Sequence, residues 1–292
     1  MAKFDVCLIG NLIVDNIYCV SNFALGHSNK SLAHKKSIGS IANVLDSLIE
    51  LEPNLNINVY SSIGKDKEAK NVSEWISEIQ KNNKVEFDLS YSDNFCTSNA
   101  LIISDISQRT RSSIVNWGAC TEMKSFTAPN SKWFHVMYAD KLHNLSYENL
   151  KILKQQGIVS VDFCLSNHSE SELGRIHSLL PWVDYAIMSI DEAYSIAETK
   201  QASKAVKKIG TLVNKCAIIH SPHYVYICNG KELDILETNY IDQKNMNVLG
   251  AGDMFAAAVI AKKLEQTDTI KSAEFAHQYT TQKLMESYEK EI

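Results

Sequence analysis

No Cys-x-x-Cys spacing occurs in the chain. Its seven cysteines, Cys7, Cys19, Cys96, Cys120, Cys164, Cys216 and Cys228, are scattered and odd in number. That argues against a disulfide framework and a zinc knuckle, and implies a reducing compartment. No uncharged apolar run approaches the roughly 20 residues of a membrane span, and the opening residues enter a strand-like run without a signal-peptide pattern. A soluble protein of the cytoplasm is therefore expected. Positive charge is not in excess: 29 Lys and Arg face 34 Asp and Glu, a net charge of −5. Neither nucleic acid nor an anionic membrane is expected as a partner. Internal repeats and low-complexity linkers are also missing. What is present is an ordinary globular composition, 45% hydrophobic and 22% charged over 292 residues, enough for one large domain with a sizeable core. A small molecule is the partner that fits.

The most informative stretch is Asn247-Val248-Leu249-Gly250-Ala251-Gly252-Asp253, followed by the apolar run 254–261. It reads as a turn entering a buried helix. Gly250, Ala251 and Gly252 fall where backbone N–H groups lack intrahelical partners, and the helix dipole favours negative charge there, so a phosphoryl oxygen is a natural guest. A carboxylate at Asp253 repels such a guest unless it has a task of its own. It either caps the helix or takes a proton from a hydroxyl that attacks phosphorus.

Gly-Ala-Gly-Asp leading an apolar helix late in a chain of this length resembles the signature of the ribokinase-like (PfkB) carbohydrate and nucleoside kinases. The resemblance runs from about residue 4 to 285. It implies an α/β fold of three layers, a mostly parallel central sheet covered by helices, in one domain over 1–292. A small β-structured lid would come from about 16–37 and 85–117. It further implies ATP as co-substrate with Mg²⁺, a sugar or nucleoside as acceptor, Asp253 as base, and Gly250, Ala251 and Gly252 as the anion hole. Lid-to-lid pairing into a homodimer is one arrangement it carries. The residues before the glycines depart from the family: Asn247-Val248 stand where Asp-Thr is usual.

Along the chain, residues 4–14 read as one buried strand interrupted at Gly10-Asn11 and ending at a ligand crevice, with Asp15 at its end. A turn or cap role for Asp15 and a hydrogen-bond acceptor role for sugar hydroxyls are both open from the residues; the resemblance implies substrate binding. Ile38-Gly39-Ser40-Ile41-Ala42-Asn43 partly matches Gly-Gly-x-Gly-x-Asn, implying that Gly39 and Asn43 touch the acceptor. A helix follows from the spacing of Ile41, Val44, Leu45, Leu48 and Leu51. Strand 57–63 precedes a helix through Gln80, and a hairpin is expected around Ser107-Gln108-Arg109-Thr110-Arg111. Family members place a lid arginine on substrate, a role the resemblance passes to Arg109, while solvated turn arginines are the plainer reading.

The second half alternates strands near 133–138, 158–161, 185–188 and 217–220 with helical patterns at 146–156, 169–180 and 190–213, the mark of βα units. Ser189-Ile190-Asp191-Glu192 occupies the place of the family's Asn-x-x-Glu. The resemblance gives Ser189 to the nucleotide and Glu192 to Mg²⁺, while an N-cap explains the same residues structurally. His220-Ser221-Pro222-His223 stands where Thr-x-Gly-x-x-Gly runs along the nucleotide, with threonine and both glycines absent. His220 and, on a later helix, His277 are the candidates for nucleotide contact. These departures leave two alternatives to an ATP-dependent kinase: a slow or inactive ligand-binding protein on the same scaffold, or a kinase with an unusual phosphoryl donor.

Overall fold

The computed structural model describes residues 2–108, 110–164, 168–238 and 249–291, the side chains of 287–291 excepted. Nine strands form the large sheet, in chain order β1 (Phe4–Ile9), β4 (Ile57–Gly64), β5 (Val85–Ser92), β8 (Ser131–Val136), β9 (Ile158–Val161), β10 (Tyr185–Ser189), β11 (Cys216–His220), β12 (Tyr224–Cys228) and β13 (Leu233–Glu237). Their spatial order is β13-β12-β11-β10-β9-β8-β1-β4-β5. The seven strands from β11 to β5 run parallel, and β12 and β13 close one edge as antiparallel hairpins.

The strands are apolar on both sides because both faces are covered. Val6, Leu8, Ile57, Val59, Ile187 and Ile218 pack against helices α1 (Ile41–Leu51), α2 (Lys67–Gln80), α7 (Ala251–Leu264) and α8 (Thr269–Glu291). Cys7, Ile9, Phe134, Val136, Ala186, Met188 and Ile219 face α3 (Tyr147–Gln156), α4 (Glu170–Leu179), α5 (Ile190–Ala197) and α6 (Ala202–Leu212). This is the expected three-layer α/β architecture, each buried Leu or Ile contributing roughly 1.5–3 kcal/mol. Helix α7 is apolar all round from Phe255 to Ala261 because it is buried all round, packed on the sheet and between α1 and α8.

Four strands form a second sheet in the order β3-β2-β6-β7: β2 (Leu12–Val20), β3 (Ser31–Ser40), β6 (Asn99–Asp105) and β7 (Thr110–Asn116). Two expectations change at this point. The run 4–14 is two strands in two sheets, parted at Gly10, whose φ of 152° and close approach to Met137 leave no room for a side chain. Asp15 therefore lies inside β2, on the small sheet, instead of ending a central strand. The segment 85–117 is also divided. β5 is an edge strand of the large sheet, burying Val85 and half-burying Phe87 and Leu89 on the side of α2, and only β6 and β7 belong to the small sheet. At the far end of that sheet the Asp105 carboxylate accepts from the backbone N–H groups of Asn22, Phe23, Ser107 and Gln108, which holds its pKa down to about 2.

Candidate active site

A cavity of about 580 Å³ lies between the inner face of the small sheet, the carboxyl ends of β10 and β11, and the start of α7. Gly250 precedes α7 with φ 78°, a left-handed turn that glycine adopts without strain, and the first intrahelical bond runs from Met254 N–H to its carbonyl (2.9 Å). The N–H groups of Ala251, Gly252 and Asp253 precede that bond and have no intrahelical acceptor. All four residues line the cavity.

Asp253 is only 8% exposed, and Asn43 Nδ2, from the first turn of α1, donates to its Oδ2 at 2.7 Å. Burial pushes its pKa up to about 7; the Asn43 bond opposes this, and the nearby charges of Asp162 and Asp15 add to it. A carboxyl that exchanges its proton near neutrality is thus set beside an anion cradle. Asp15 faces it from β2, with a pKa lifted to about 6 by burial and partly offset by the Arg111 guanidinium.

Gly39 does not line the cavity. A Cβ there would fall 2.2 Å from Asp15 Oδ2, so the bare backbone of β3 makes room for the Asp15 carboxylate and not for a ligand. Ser40, next in the chain, is held at φ 60°, ψ −114°. It is buried, its hydroxyl has no hydrogen-bond partner among the described residues, and it lines the cavity. A serine at such a backbone costs on the order of 1–3 kcal/mol, a strain that concentrates at functional sites.

Arg109 lies outside the described residues, as do Asn247 and Val248. The neighbouring Arg111 of β7 lines the cavity. Several contributors had no signal of their own in the sequence. Asp162, just past β9, is buried and accepts the Tyr138 N–H; burial raises its pKa, opposed by His135, whose Nε2 is 3.6 Å away. Tyr138 sits in the left-handed region, and the Asp253 charge, then burial, drive its phenol pKa well up. Its ring meets Trp117 edge-on at 5.4 Å. With Ile13, Ala100, Ile102, Val115 and Leu249 these two rings make one end of the cavity apolar.

The other end holds Ser189, Glu192, His220 and His277. Ser189 caps α5: its Oγ accepts from Glu192 N–H (3.3 Å) while Glu192 Oε2 accepts from Ser189 N–H (2.7 Å). Burial pushes Glu192 up to about 8, so at neutral pH it is largely protonated. Among the described residues no group of three His, Cys, Asp or Glu is arranged to hold a metal ion. The capped, protonated Glu192 does not fit a resident Mg²⁺, and a cation at this end would have to arrive on the phosphates of a nucleotide. His220 closes β11 with its ring on Phe255, and burial lowers its pKa to about 4, leaving a neutral imidazole.

A layered parallel sheet with a small second sheet over a cavity at its carboxyl end defines a ribokinase-like fold, and solved structures share it. Adenosine kinase from Sinorhizobium meliloti superposes with a TM-score of 0.75 at 17% identity, covering 96% of this chain and 93% of that one. Ribokinase from Thermotoga maritima gives 0.73 at 16% identity, covering 95% and 91%. Adenosine kinase from Schistosoma mansoni, solved with 2-fluoroadenosine, gives 0.77 at 14% identity, covering 97% and 96%. Comparison with curated proteins gives no match. The family model of the pfkB family carbohydrate kinases matches residues 3–286, and the chain belongs to that family.

Proposed function

We propose that this pfkB-family protein transfers the γ-phosphoryl group of ATP·Mg²⁺ to a hydroxyl of a sugar or nucleoside. The observation that carries the reading is the Asp253 carboxyl, fixed by Asn43 in the first turn of α7 and titrating near 7 beside the Gly250–Gly252 cradle. Asp253 takes the proton of the acceptor hydroxyl. The acceptor oxygen forms a bond to Pγ as the bond to the β–γ bridging oxygen breaks, and ADP leaves with that electron pair. Negative charge on the transferring oxygens meets the N–H groups of Ala251, Gly252 and Asp253 and the positive end of α7. One such preorganised donor is worth roughly 3–4 kcal/mol in the transition state, and a positioned base about 10²–10⁴ in rate.

Asp15, Ser40 and Asn43 offer hydrogen bonds to the acceptor's hydroxyls, and the apolar side formed by Ile13, Ala100, Ile102 and Val115 covers its less polar face. Closure of the small sheet as a lid would exclude water, which otherwise competes as acceptor. Ser189, His220 and His277 lie on the nucleotide side. Release of ADP on mixing ATP·Mg²⁺ with a panel of pentoses, hexoses and nucleosides tests the reading. Acceptor-dependent release supports it, and release that is the same with every acceptor and with none removes it.

One observation favours a second reading, a donor other than ATP. The turn between β11 and β12 keeps its hydrogen bonds to itself, Ser221 with Tyr224, and Pro222 has no N–H to give. The same assay with GTP and pyrophosphate separates the two. Exposed Leu32, Leu101 and Ile114 on the small sheet suit pairing with a second copy, and a light-scattering mass of twice 32.8 kDa is the expected result. No described helix is long and apolar enough to cross a membrane, in keeping with the cytoplasmic site proposed for this activity.

A further inference from the structure

The turn after β11 has little left for a phosphate chain. Ser221 N–H and Oγ both donate to the Tyr224 carbonyl, at 2.8 and 2.9 Å, and Tyr224 N–H donates to Ser221 Oγ at 3.0 Å. With Pro222 lacking an N–H, three of its four residues, 221, 222 and 224, present no backbone donor outward.

A side chain beside the turn is placed to supply what the backbone does not. The His220 ring lies on Phe255 of α7, with centroids 4.7 Å apart, and turns its Nε2–Cε1 edge toward Gly252. A Cβ built on Gly252 would sit 3.6 Å from Nε2 and 3.8 Å from Cε1, ordinary van der Waals contact. Gly252 has no such atom, so the gap between the imidazole edge and the start of α7 opens on the cavity that both residues line. Neither ring nitrogen meets a hydrogen-bond partner among the described residues. Burial, with His277 of α8 adding to it, keeps the ring neutral, with one N–H and one lone pair.

Resting on the phosphotransfer reading above, we infer that His220 Nε2–H donates to a phosphate oxygen of the donor beside Gly252, replacing the contact that the closed turn cannot make. A phosphate oxygen only accepts, so the tautomer with its proton on Nε2 is the one selected. The contact falls on the phosphates at the transferring end, next to the cradle, and not on the α-phosphate or base.

The test is calorimetric titration of the whole protein with ADP and with AMP, Mg²⁺ present, in which no turnover is needed. H220F keeps a ring on Phe255 and removes the donor; H220Q keeps an N–H near the same place. H220F should weaken ADP at least tenfold and AMP less than twofold, with H220Q within threefold of the parent for both. If H220F does not fold, as judged by its melting transition, H220A carries the same expectation. Equal ADP affinity in the parent and H220F overturns the inference, as does an equal loss for ADP and AMP, which would report cavity shape instead of a phosphate contact. A parent protein that binds neither ADP nor pyrophosphate sinks the phosphotransfer reading itself, a distinct result.

Discussion

Replacing Asp253 by Asn should make the protein more stable above neutral pH while removing its turnover. The carboxyl is buried and its pKa stands at about 7 in the fold, against about 3.9 in an unfolded chain. Below pH 4 it is protonated in both states. Between those two values the folded state holds the proton and the unfolded state does not, so stability falls as pH rises and the loss is complete above pH 7. Each pKa unit corresponds to 1.36 kcal/mol, which makes the whole effect about 4 kcal/mol and the part between pH 5 and 8 roughly 2–3 kcal/mol. For a chain of this length that corresponds to about 4 °C in melting temperature. Asn at 253 does not titrate, and its carbonyl still accepts the Asn43 N–H. Asp15 and Glu192, raised to about 6 and about 8, titrate in the same direction, so the quantity to read is the difference between the two proteins. Melting curves from pH 5 to 8 should show the parent falling about 4 °C further than D253N, and kcat of D253N should drop on the order of 10³-fold. Parallel melting curves would refute the assignment of a strained, ionising carboxyl at this position.

Gly39→Ala places a methyl 2.2 Å from Asp15 Oδ2, so it should displace that carboxylate and raise KM for the acceptor at least tenfold, at a stability cost of roughly 1–3 kcal/mol; steady-state kinetics and melting read both. Gly252→Ala should do the reverse. The helical backbone accepts Ala with a gain of about 0.5–1 kcal/mol, but the methyl enters the anion cradle, so kcat should fall at least a hundredfold in a protein that melts higher. Asp105→Ala removes the acceptor that gathers four backbone N–H groups; hydrogen exchange should quicken at Asn22, Phe23, Ser107 and Gln108 while the α7 amides keep their protection.

The large sheet was legible because its strands are short apolar runs between helical patterns, and α7 because glycines, a carboxylate and an unbroken apolar body coincide. The break at Gly10 was not legible. Residues on both sides of it are equally apolar, since β1 is buried in the large sheet and the start of β2 beneath the small one, and only the tertiary contact with Met137 shows where the chain changes sheets. The side chains of β5 alternate much like those of a lid strand, because an edge strand is also buried on one face only. Asp162 and Tyr138 gave no signal, for what makes them part of the site is the end of a parallel strand and a left-handed backbone, neither visible in residue type. Gly39 was singled out correctly as a place with no room for a side chain, but the group that needs the room is Asp15.

Acceptor-dependent release of ADP, followed by ³¹P NMR of the product and run side by side for the parent and D253N, addresses the central claim most directly. The account predicts a new phosphomonoester from at least one sugar or nucleoside with the parent protein and about a thousandfold less with D253N. Equal product from both proteins, or a nucleotide that binds without ever yielding a phosphomonoester, would contradict it.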